Sequence, residues 1–245
     1  MAVAVVSGAS GGIGSAIARR LADNGMRVVV GYNSAQGKAE QVVAELAGDG
    51  HSTAAMPMGD SVALAAIADD VAAQHGHVDV LVNCAGATEP VPHDDLDALT
   101  DELIDRIFAT NWRGPFATIR AFRPLLDAAP APVIVNISSV AAVTGQGSNV
   151  AYCASKAALD SMTRSLARAL GPRLRIVSVS PGWVLGEYAA QMPAEMLDVQ
   201  RNATPLGRLA TAADVAAAVS AVVHDLPFTT GTTISVDGGR PLGLS

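Results

Sequence analysis

The 245-residue sequence predicts one α/β domain, a doubly wound parallel sheet of seven strands with helices on both faces. Two observations lead to this fold class. Short aliphatic runs alternate with segments of helical length and spacing along the whole chain, which is typical of β-α-β units. Half of the residues are hydrophobic and only 16% are charged, so a sheet covered on both faces has enough apolar side chains. No repeat or long linker divides residues 1–245, and we therefore expect a single Rossmann-like domain.

The individual elements follow from the alternation of these segments. The predicted strands are Ala2–Val6, Arg27–Val30, Ser52–Met56 (the weakest), Val78–Val82, Val133–Ile137, Arg175–Val179 and Thr232–Val236. The predicted helices are Ile13–Asn24, Gln36–Ala47, Leu64–Gln74, Leu103–Leu126, Ala151–Leu170 and Ala212–Val223. Residues 183–208 form the most irregular stretch, and a long irregular insertion in a compact domain is commonly a lid or a binding loop. We expect this insertion to contact the substrate and call it the substrate loop.

Composition excludes several classes of function. The net charge of −7 and the lack of a Lys/Arg run argue against a nucleic-acid partner. The apolar start Met1–Val6 has no basic flank and leads into glycines, so it predicts a strand and not a signal peptide, and no apolar run has membrane-spanning length. Cys84 and Cys153 are expected to be buried free thiols, and the five histidines lack metal-ligand spacing. We expect a cytoplasmic protein without a membrane partner or a metal site.

A glycine-rich turn follows the first strand. It reads Ser7-Gly8-Ala9-Ser10-Gly11-Gly12-Ile13-Gly14 and leads directly into a helix. Glycines let the backbone approach a phosphate closely, and the helix N-terminus adds free N–H groups and partial positive charge. The turn therefore predicts a dinucleotide site, with Gly8, Ser10, Gly12, Ile13 and Gly14 as binding residues.

The end of the second strand bears on which dinucleotide binds. A carboxylate about 20 residues beyond the glycines would accept hydrogen bonds from the ribose 2′-hydroxyl of NAD. This region instead contains Tyr32, Asn33 and Ser34, and the first acid after it is Glu40. This region contains no carboxylate that would repel a 2′-phosphate. The sequence therefore favours NADP(H), with NAD(H) as the alternative. We expect Tyr32, Asn33 and Ser34 to bind the cofactor.

Tyr152 and Lys156 stand four residues apart near the start of a predicted helix. Residues at this spacing share one helix face. A free tyrosine has a pKa of about 10, and a neighbouring cation favours the phenolate. The pair therefore predicts a phenol suited to general acid–base catalysis.

Taken together, the motifs of this chain resemble those of the short-chain dehydrogenase/reductase family, in its compact branch. The resemblance covers essentially the whole chain. The matching motifs are Gly8-x-x-x-Gly12-Ile13-Gly14, Gly59-Asp60, Asn83-Cys84-Ala85-Gly86, Asn111, Asn136-Ile137-Ser138-Ser139, Tyr152-x-x-x-Lys156, Pro181-Gly182 and Val236-Asp237-Gly238-Gly239.

The resemblance implies a catalytic role for four residues. Tyr152 is expected to donate a proton to the carbonyl oxygen during reduction, or to accept one during alcohol oxidation. Lys156 is expected to lower the Tyr152 pKa and to bind the nicotinamide ribose. Ser139, 13 residues before Tyr152, is expected to position the substrate oxygen, with Ser138 facing the opposite side. Asn111 is expected to hold a water that links Lys156 to solvent, unless its amide is a structural one.

The resemblance also implies further cofactor contacts. Asp60 is expected to meet the adenine amino group, with a helix N-cap as the rival role. Asn83, Ala85 and Gly86 end the fourth strand at the edge where such sheets bind ligands, although Asn83 could instead brace the sheet. Pro181, Gly182 and Val184 are expected to border the nicotinamide. The chain departs from the family at Gly186, where a threonine is common.

Within the family, the chain is most similar to 3-oxoacyl-(acyl-carrier-protein) reductases. The resemblance implies an NADPH-dependent carbonyl reductase that converts a 3-oxoacyl thioester into a 3-hydroxyacyl product. It implies either a carrier-linked or a small-molecule carbonyl substrate. The alternative is a dehydrogenase of a sugar, a steroid or another secondary alcohol. A non-catalytic nucleotide-binding protein is a more distant alternative. The resemblance further implies a homo-oligomer, either a tetramer or a dimer.

Overall fold

Seven parallel strands form the central sheet in the computed structural model of the chain, which describes residues 1–186 and 189–242. The strands are β1 Val3–Val6, β2 Arg27–Tyr32, β3 Ser52–Ala55, β4 Val80–Asn83, β5 Val133–Ile137, β6 Arg175–Pro181 and β7 Thr233–Val236. Their order across the sheet is β3-β2-β1-β4-β5-β6-β7. The predicted seven-stranded parallel sheet is thus confirmed, including its weakest strand.

Helices cover both faces of the sheet. They are α1 Gly12–Asp23, α2 Gln36–Ala44, α3 Ser61–His75, α4 Asp101–Phe108, α5 Gly114–Ala128, α6 Ala141–Thr144, α7 Val150–Leu170, α8 Ala194–Asn202 and α9 Ala212–His224, with 3₁₀ turns at Ala189–Gln191 and Arg240–Leu242. The apolar faces of α1, α2 and α9 contribute to one core cluster, and those of α3, α5 and α7 to the other. This arrangement is the predicted Rossmann-like domain.

Side-chain alternation along each strand supplies the two cores. In β1, Ala4 and Val6 belong to the cluster under α1 and α9, whereas Val3 and Val5 belong to the cluster under α3 and α5. Successive side chains of a strand point to opposite faces. A strand covered on both faces is therefore expected to be mostly aliphatic, which explains why β1 lacks alternating polar residues.

The long helix predicted over Leu103–Leu126 is wrong in one respect. The structure divides this region into α4, a π-helical turn over Ala109–Arg113, and α5. Pro115 has no N–H to donate to the carbonyl of Asn111, four residues earlier, so a regular α-helical bond is impossible there. The N–H of Gly114 instead reaches back five residues, to the Ala109 carbonyl. The π turn is the result.

Smaller boundary differences have local causes. β4 begins at Val80 and not at Val78, because the Val78 N–H donates to the Leu125 carbonyl at the end of α5. β6 continues past the predicted Val179 to Pro181, since it pairs with β7 over that length. Despite these shifts, the carboxyl ends of β1, β4, β5 and β6 all lie at the same edge of the sheet.

Candidate active site

The strand order reverses between β1 and β4, and the candidate site lies at the carboxyl ends of these strands. Consecutive strands β1, β2 and β3 extend in one direction from this point, and β4 to β7 extend in the other. Doubly wound sheets bind ligands in the crevice at such a switch point. The glycine-rich turn follows β1 and the Asn83–Gly86 segment follows β4, so both predicted cofactor segments meet here.

The glycine-rich turn is packed so tightly that side chains would not fit. Gly8 has a φ of +65°, and a Cβ there would stand 2.7 Å from the Cα of Ala85. A Cβ on Gly14 would stand 2.3 Å from the Gly8 carbonyl oxygen. Ser7, buried beside the turn, accepts hydrogen bonds from the N–H groups of Cys84 and Ala85 at 3.1 and 3.2 Å. The turn is therefore fixed to the loop after β4.

The amino end of α1 is suited to an anion. Gly11 precedes the helix, and no described side chain caps its first N–H groups. Gly12, at a φ of +54°, has open space around its missing Cβ. Free N–H groups at a helix start, with the helix dipole behind them, favour a phosphate. The cradle thus fits the pyrophosphate of a dinucleotide.

The predicted 2′-phosphate region lies at the end of β2. Tyr32 is the last residue of the strand and is half-buried, whereas Asn33 and Ser34 follow it, both of them exposed. Gly31 keeps this strand end close to its neighbours, because a Cβ there would stand 2.6 Å from the sulfur of Met56. The Gly31 carbonyl accepts the N–H of Ala9 at 2.7 Å, so the end of β2 lies beside the glycine-rich turn, as a ribose site requires.

Asp60 caps the helix that follows β3. Its Oδ1 accepts the N–H groups of Val62 and Ala63 at 2.9 and 3.0 Å. The rival role named for this residue, an N-cap, is therefore what its hydrogen bonds support. The contact with adenine stays a prediction.

Asn149 fixes the start of the helix that carries the tyrosine and the lysine. Its Oδ1 accepts the N–H of Tyr152 at 2.7 Å, and its own Nδ2 donates to the Glu89 carbonyl at 2.7 Å. These bonds satisfy the first turn of α7 and tie it to the loop after β4. The helix consequently begins at Val150, one residue before the predicted start.

Tyr152 and Lys156 face the same space, as their spacing predicts. The Nζ of Lys156 lies 5.8 Å from the centroid of the Tyr152 ring and donates to the Ile137 carbonyl at 2.8 Å. Lys156 is only 5% exposed. Burial lowers its pKa from 10.5 to about 8, while the charges of Cys84 and Asp160 act in the opposite direction.

Of these two opposing groups, Cys84 does not act through a charge near neutral pH. Burial raises the pKa of the Cys84 thiol to about 12, so this thiol carries no charge at pH 7. Lys156, with a pKa near 8, remains mostly protonated at that pH. The site thus holds a desolvated cation beside a phenol, the arrangement in which a charge acts most strongly on its neighbour.

Asn111 lies on the π turn, buried beside Lys156. Its Nδ2 donates to the Ala87 carbonyl at 2.9 Å and to the Ser155 Oγ at 3.0 Å, and its Oδ1 accepts the Ala87 N–H at 2.7 Å. Both amide hydrogens are therefore used within the protein. A Cβ on Gly86 would stand 3.6 Å from the Asn111 Oδ1 and 3.7 Å from the Lys156 Nζ, so the two residues meet across this glycine.

The two adjacent serines differ in burial. Ser138 is 3% exposed and donates to the Lys156 carbonyl at 3.5 Å. Ser139 is half-buried, and its Oγ accepts the Ala141 N–H at 3.2 Å. No described residue accepts the Ser139 hydroxyl proton, which leaves it able to donate to a substrate oxygen. The choice of Ser139 over Ser138 is compatible with this geometry.

A row of buried polar side chains crosses the sheet beneath the site, and we call it the polar ladder. Asn83 donates to Asn136 at 2.8 Å, Asn136 donates to Thr163 of α7 at 2.8 Å, and Thr163 bonds to Ser178 at 2.9 Å. The brace proposed for Asn83 is therefore present. The Asn83 Oδ1 is buried with no hydrogen-bond partner among the described residues. The sequence prediction missed Asn136 and Thr163 as supports, although polar residues inside aliphatic strands were a usable signal.

Pro181, Gly182 and Val184 follow the end of β6. The Pro181 carbonyl accepts the N–H of Val140, next to Ser139. A Cβ on Gly182 would stand 2.9 Å from the Cα of Asp237, which packs this turn against the segment after β7. Gly186, the departure from the family pattern, is exposed.

A cleft of about 410 Å³ adjoins the serine side of the site. Its walls are Val140, Thr144, Gln146, Trp183, Ala203, Arg240 and Pro241. It is bounded by the loop after β5, the substrate loop and the turn after β7. A second cavity, lined by Met1, Gly25 and Asp49 among others, lies at the opposite strand ends, away from Tyr152. Of these two cavities, the cleft beside Val140 is the one that adjoins the candidate site.

Among the described residues, no group of three or more His, Cys, Asp or Glu side chains is arranged to hold a metal ion. Both cysteines are free thiols, Cys153 buried and Cys84 half-buried. Within residues 1–186 and 189–242, no helix has the length and apolarity needed to cross a membrane.

Comparison with known proteins agrees with this geometry. A family model described as enoyl-(acyl carrier protein) reductase matches residues 8–240. The chain is 33% identical over 240 residues to a 3-oxoacyl-(acyl-carrier-protein) reductase from Staphylococcus aureus, with 96% of each chain covered. It is 35% identical over 242 residues to a cis-4-hydroxycyclohexanecarboxylate dehydrogenase from Sinomonas cyclohexanicum, covering 97% of this chain and 95% of that protein.

A solved structure supports the same fold. It is a glucose/ribitol-type short-chain dehydrogenase/reductase from Brucella melitensis, with a TM-score of 0.91 and 28% sequence identity. The match covers 98% of this chain and 96% of that one.

Proposed function

The chain belongs to the short-chain dehydrogenase/reductase family, as an oxidoreductase of CH–OH and C=O groups, and on that premise we propose that it is an NADPH-dependent carbonyl reductase. We propose that its substrate is a 3-oxoacyl thioester, reduced to the 3-hydroxyacyl product. One observation carries the proposal: the buried Lys156 ammonium lies 5.8 Å from the Tyr152 ring, at the strand ends where the glycine-rich turn also lies. A proton donor and a dinucleotide cradle thus share one crevice.

Tyr152 is the proposed proton donor. When bound, the nicotinamide supplies a hydride to the carbonyl carbon. The developing alkoxide takes the phenolic proton of Tyr152, so that one hydride and one proton convert C=O into CH–OH. The positive charge of Lys156 stabilises the phenolate that remains. Ser139 donates its free hydroxyl hydrogen to the same carbonyl oxygen and orients it.

Lys156 and Asn111 are proposed to return a proton to Tyr152. Lys156, with a pKa near 8, can exchange a proton close to neutral pH. The Asn111 amide is occupied by Ala87 and Ser155, so we assign the water-holding role to its backbone carbonyl. Pro115 supports this assignment because it cannot donate to that carbonyl. The amide then serves to hold the π turn in place.

The cofactor-binding residues are proposed as the sequence suggested them. The pyrophosphate would lie against Gly8, Ser10, Gly12, Ile13 and Gly14. Asp60, Asn83, Ala85 and Gly86 would border the adenosine and ribose parts, and Pro181, Gly182 and Val184 the nicotinamide. Tyr152 and Lys156 would contact the nicotinamide ribose. The lack of room for a Cβ at Gly8 and Gly14 supports the first group.

The preference for NADPH rests on Tyr32, Asn33 and Ser34. These residues offer a phenol, an amide and a hydroxyl at the end of β2, and no carboxylate that would repel a 2′-phosphate. The expected result is a higher kcat/KM with NADPH than with NADH. Equal values, or a higher value with NADH, would contradict this part of the proposal.

The thioester substrate is supported by similarity to a 3-oxoacyl-(acyl-carrier-protein) reductase. The second candidate function, a secondary-alcohol dehydrogenase, is favoured by similarity to a cis-4-hydroxycyclohexanecarboxylate dehydrogenase. Both reactions use the same catalytic residues, and the substrate loop, residues 183–208, would select between them. The family description also names enoyl reduction, in which a C=C bond is reduced.

The deciding assay measures NADPH oxidation with acetoacetyl thioesters, cyclic ketones, sugars, steroid ketones and a crotonyl thioester under equal conditions. We expect the 3-oxoacyl thioesters to be reduced with the highest kcat/KM. Negligible turnover of thioesters with reduction of cyclic ketones would favour the second candidate. Reduction of the crotonyl thioester alone would overturn the carbonyl assignment.

Tyr152→Phe tests the catalytic assignment. We expect kcat to fall by several orders of magnitude while NADPH affinity changes little, because only the proton donor is lost. A matched pair, Ser139→Ala and Ser138→Ala, tests the serine assignment, and only the first should lower kcat strongly. NADPH binding without turnover of any substrate by the wild type would favour a non-catalytic nucleotide-binding protein, and unchanged turnover in Tyr152→Phe would overturn the role of Tyr152. We also propose a homo-oligomer, a tetramer or a dimer, which sedimentation would test.

A further inference from the structure

The proposed substrate cleft contains a single charged side chain among the described residues that line it, that of Arg240. Val140, Trp183, Ala203 and Pro241 present mainly apolar surface to the cleft, and Thr144 and Gln146 add polar groups. A cation in a partly apolar cleft interacts with an anionic ligand more strongly than a fully solvated surface cation does, because less water screens it.

The cleft lies directly beside the proposed reacting groups. Val140 follows Ser139 in sequence, and its N–H is bonded to the Pro181 carbonyl at the end of β6. Gln146 lies in the loop that leads into α7 and Tyr152. A carbonyl compound held by Ser139 and Tyr152 would therefore extend its remaining atoms into this cleft.

Arg240 is held in place with donors to spare. It begins the 3₁₀ turn after β7, and its Nη1 donates to the Gln200 carbonyl of α8 at 2.9 Å. A guanidinium has five N–H donors. No carboxylate in the described part of the chain forms an ion pair with it, since Asp198 pairs with Arg201 and the Asp237 Oδ1 accepts the Gly239 N–H.

We propose that Arg240 binds an anionic oxygen group, a carboxylate or a phosphate, on the carbonyl substrate. A planar guanidinium matches either group with paired N–H···O bonds and stays charged at all working pH values. A carboxylate would belong to a keto acid, whereas a phosphate would belong to the carrier arm of a thioester. The inference rests on the proposed carbonyl reduction and specifies the chemistry of its substrate.

The experiment compares two pairs of substrates on three proteins. The first pair is 4-oxocyclohexanecarboxylate and its carboxamide, which differ in charge at the same ring position. The second pair is acetoacetyl-CoA and the acetoacetyl thioester of N-acetylcysteamine, of which only the first carries phosphates. The proteins are the wild type, Arg240→Gln and the control Arg123→Gln, which removes the surface charge paired with Asp127 on α5 and lies outside both the cleft and the substrate loop.

We expect Arg240→Gln to lower the ratio of kcat/KM for the charged to the neutral member of one pair by about ten- to hundredfold. Arg123→Gln and the wild type should share the same ratio. The affected pair identifies the source: the keto acid pair indicates a carboxylate, the thioester pair a phosphate. The KM for NADPH should stay unchanged, because the proposed ligand is the substrate.

Unchanged ratios in both pairs would overturn the inference, as would an effect confined to the KM for NADPH. If the wild type reduced none of the four compounds, that result would instead count against the proposed function. Calorimetric titration of 4-oxocyclohexanecarboxylate and its carboxamide into the complex with NADP⁺ keeps the two questions separate. Preferential binding of the carboxylate, lost in Arg240→Gln, would support the inference without turnover, and equal binding would refute it.

Discussion

Replacing Lys156 with methionine is expected to stabilise the folded protein while removing most of its activity. The side chain is 5% exposed and sits between the sheet and α7. Methionine has a similar length and fills such space without a charge. The variant therefore separates the cost of burying the ammonium from the benefit that the ammonium gives to catalysis.

The magnitude follows from the pKa of the lysine. A fall from 10.5 to about 8 corresponds to a charge-burial cost of about 3 kcal/mol, at 1.36 kcal/mol for each pKa unit. Methionine removes this cost, but it leaves the Ile137 carbonyl without its 2.8 Å donor, a loss of about 1–2 kcal/mol. The expected net gain in the free energy of unfolding is about 1–2 kcal/mol, or roughly 2–8 °C in Tm for a chain of this size.

The gain has a defined pH dependence. Below pH 8 the lysine is protonated in both the folded and the unfolded state, so the burial cost is fully present. Between pH 8 and 10.5 the unfolded state binds more protons than the folded state, and wild-type stability rises with pH. The advantage of Lys156→Met is therefore largest below pH 8 and shrinks above it.

Urea unfolding at matched protomer concentration, at pH 7 and pH 9.5, measures this difference, and NADPH oxidation measures the activity. We expect kcat to fall by several orders of magnitude. A variant less stable than the wild type at pH 7 would refute the argument, since it would mean that the buried ammonium stabilises the fold. A stability difference that does not change between the two pH values would also contradict it.

Three further outcomes test other parts of the structure. Gly14→Ala places a Cβ 2.3 Å from a backbone oxygen, so it should lower the free energy of unfolding by about 1–3 kcal/mol or more. Fluorescence titration should detect no NADPH binding by this variant. The control Gly37→Ala, where the new Cβ meets open space, should change neither stability nor binding. Ser155→Ala removes an acceptor of the π-turn amide and should lower kcat about tenfold with little change in KM, as steady-state kinetics would report. Asp214→Asn should lower the free energy of unfolding at neutral pH and make it less dependent on pH below 4, because the Arg208 guanidinium lowers the Asp214 pKa below its ordinary 3.8. Its stabilisation is complete above that value and lost as pH falls, so urea unfolding below pH 4 should show a shallower decline in the variant.

The sequence was sufficient for features that depend on local spacing. The four-residue separation of Tyr152 and Lys156 fixes their shared helix face, and the aliphatic runs specify seven buried strands. The strand–turn–helix context of Gly8 and Gly14 likewise predicts a cradle. These features follow from periodicities that residues near one another in the chain determine by themselves.

Features that depend on distant residues could not be predicted in this way. Gly8 must be a glycine because of Ala85, which is 77 positions away. The low pKa of Lys156 results from burial beneath β5, which its local sequence does not reveal. The Asn111 amide, expected to hold water, is instead occupied by Ala87 and Ser155. Such contacts become visible only when the strand ends meet.

The π turn at Ala109–Arg113 links the number of residues in this segment to the orientation of α5. A regular α-helix advances about 100° per residue, and the turn accommodates one residue more than a regular helix would. If the same residues wound regularly, α5 would be rotated by about that angle, and Phe122 and Leu126, both at 0% exposure, would turn away from the core. The turn therefore absorbs the extra residue and keeps the two helices in phase. A one-residue deletion between Pro115 and Phe122, where no such turn lies, would put the rest of α5 out of phase with the core.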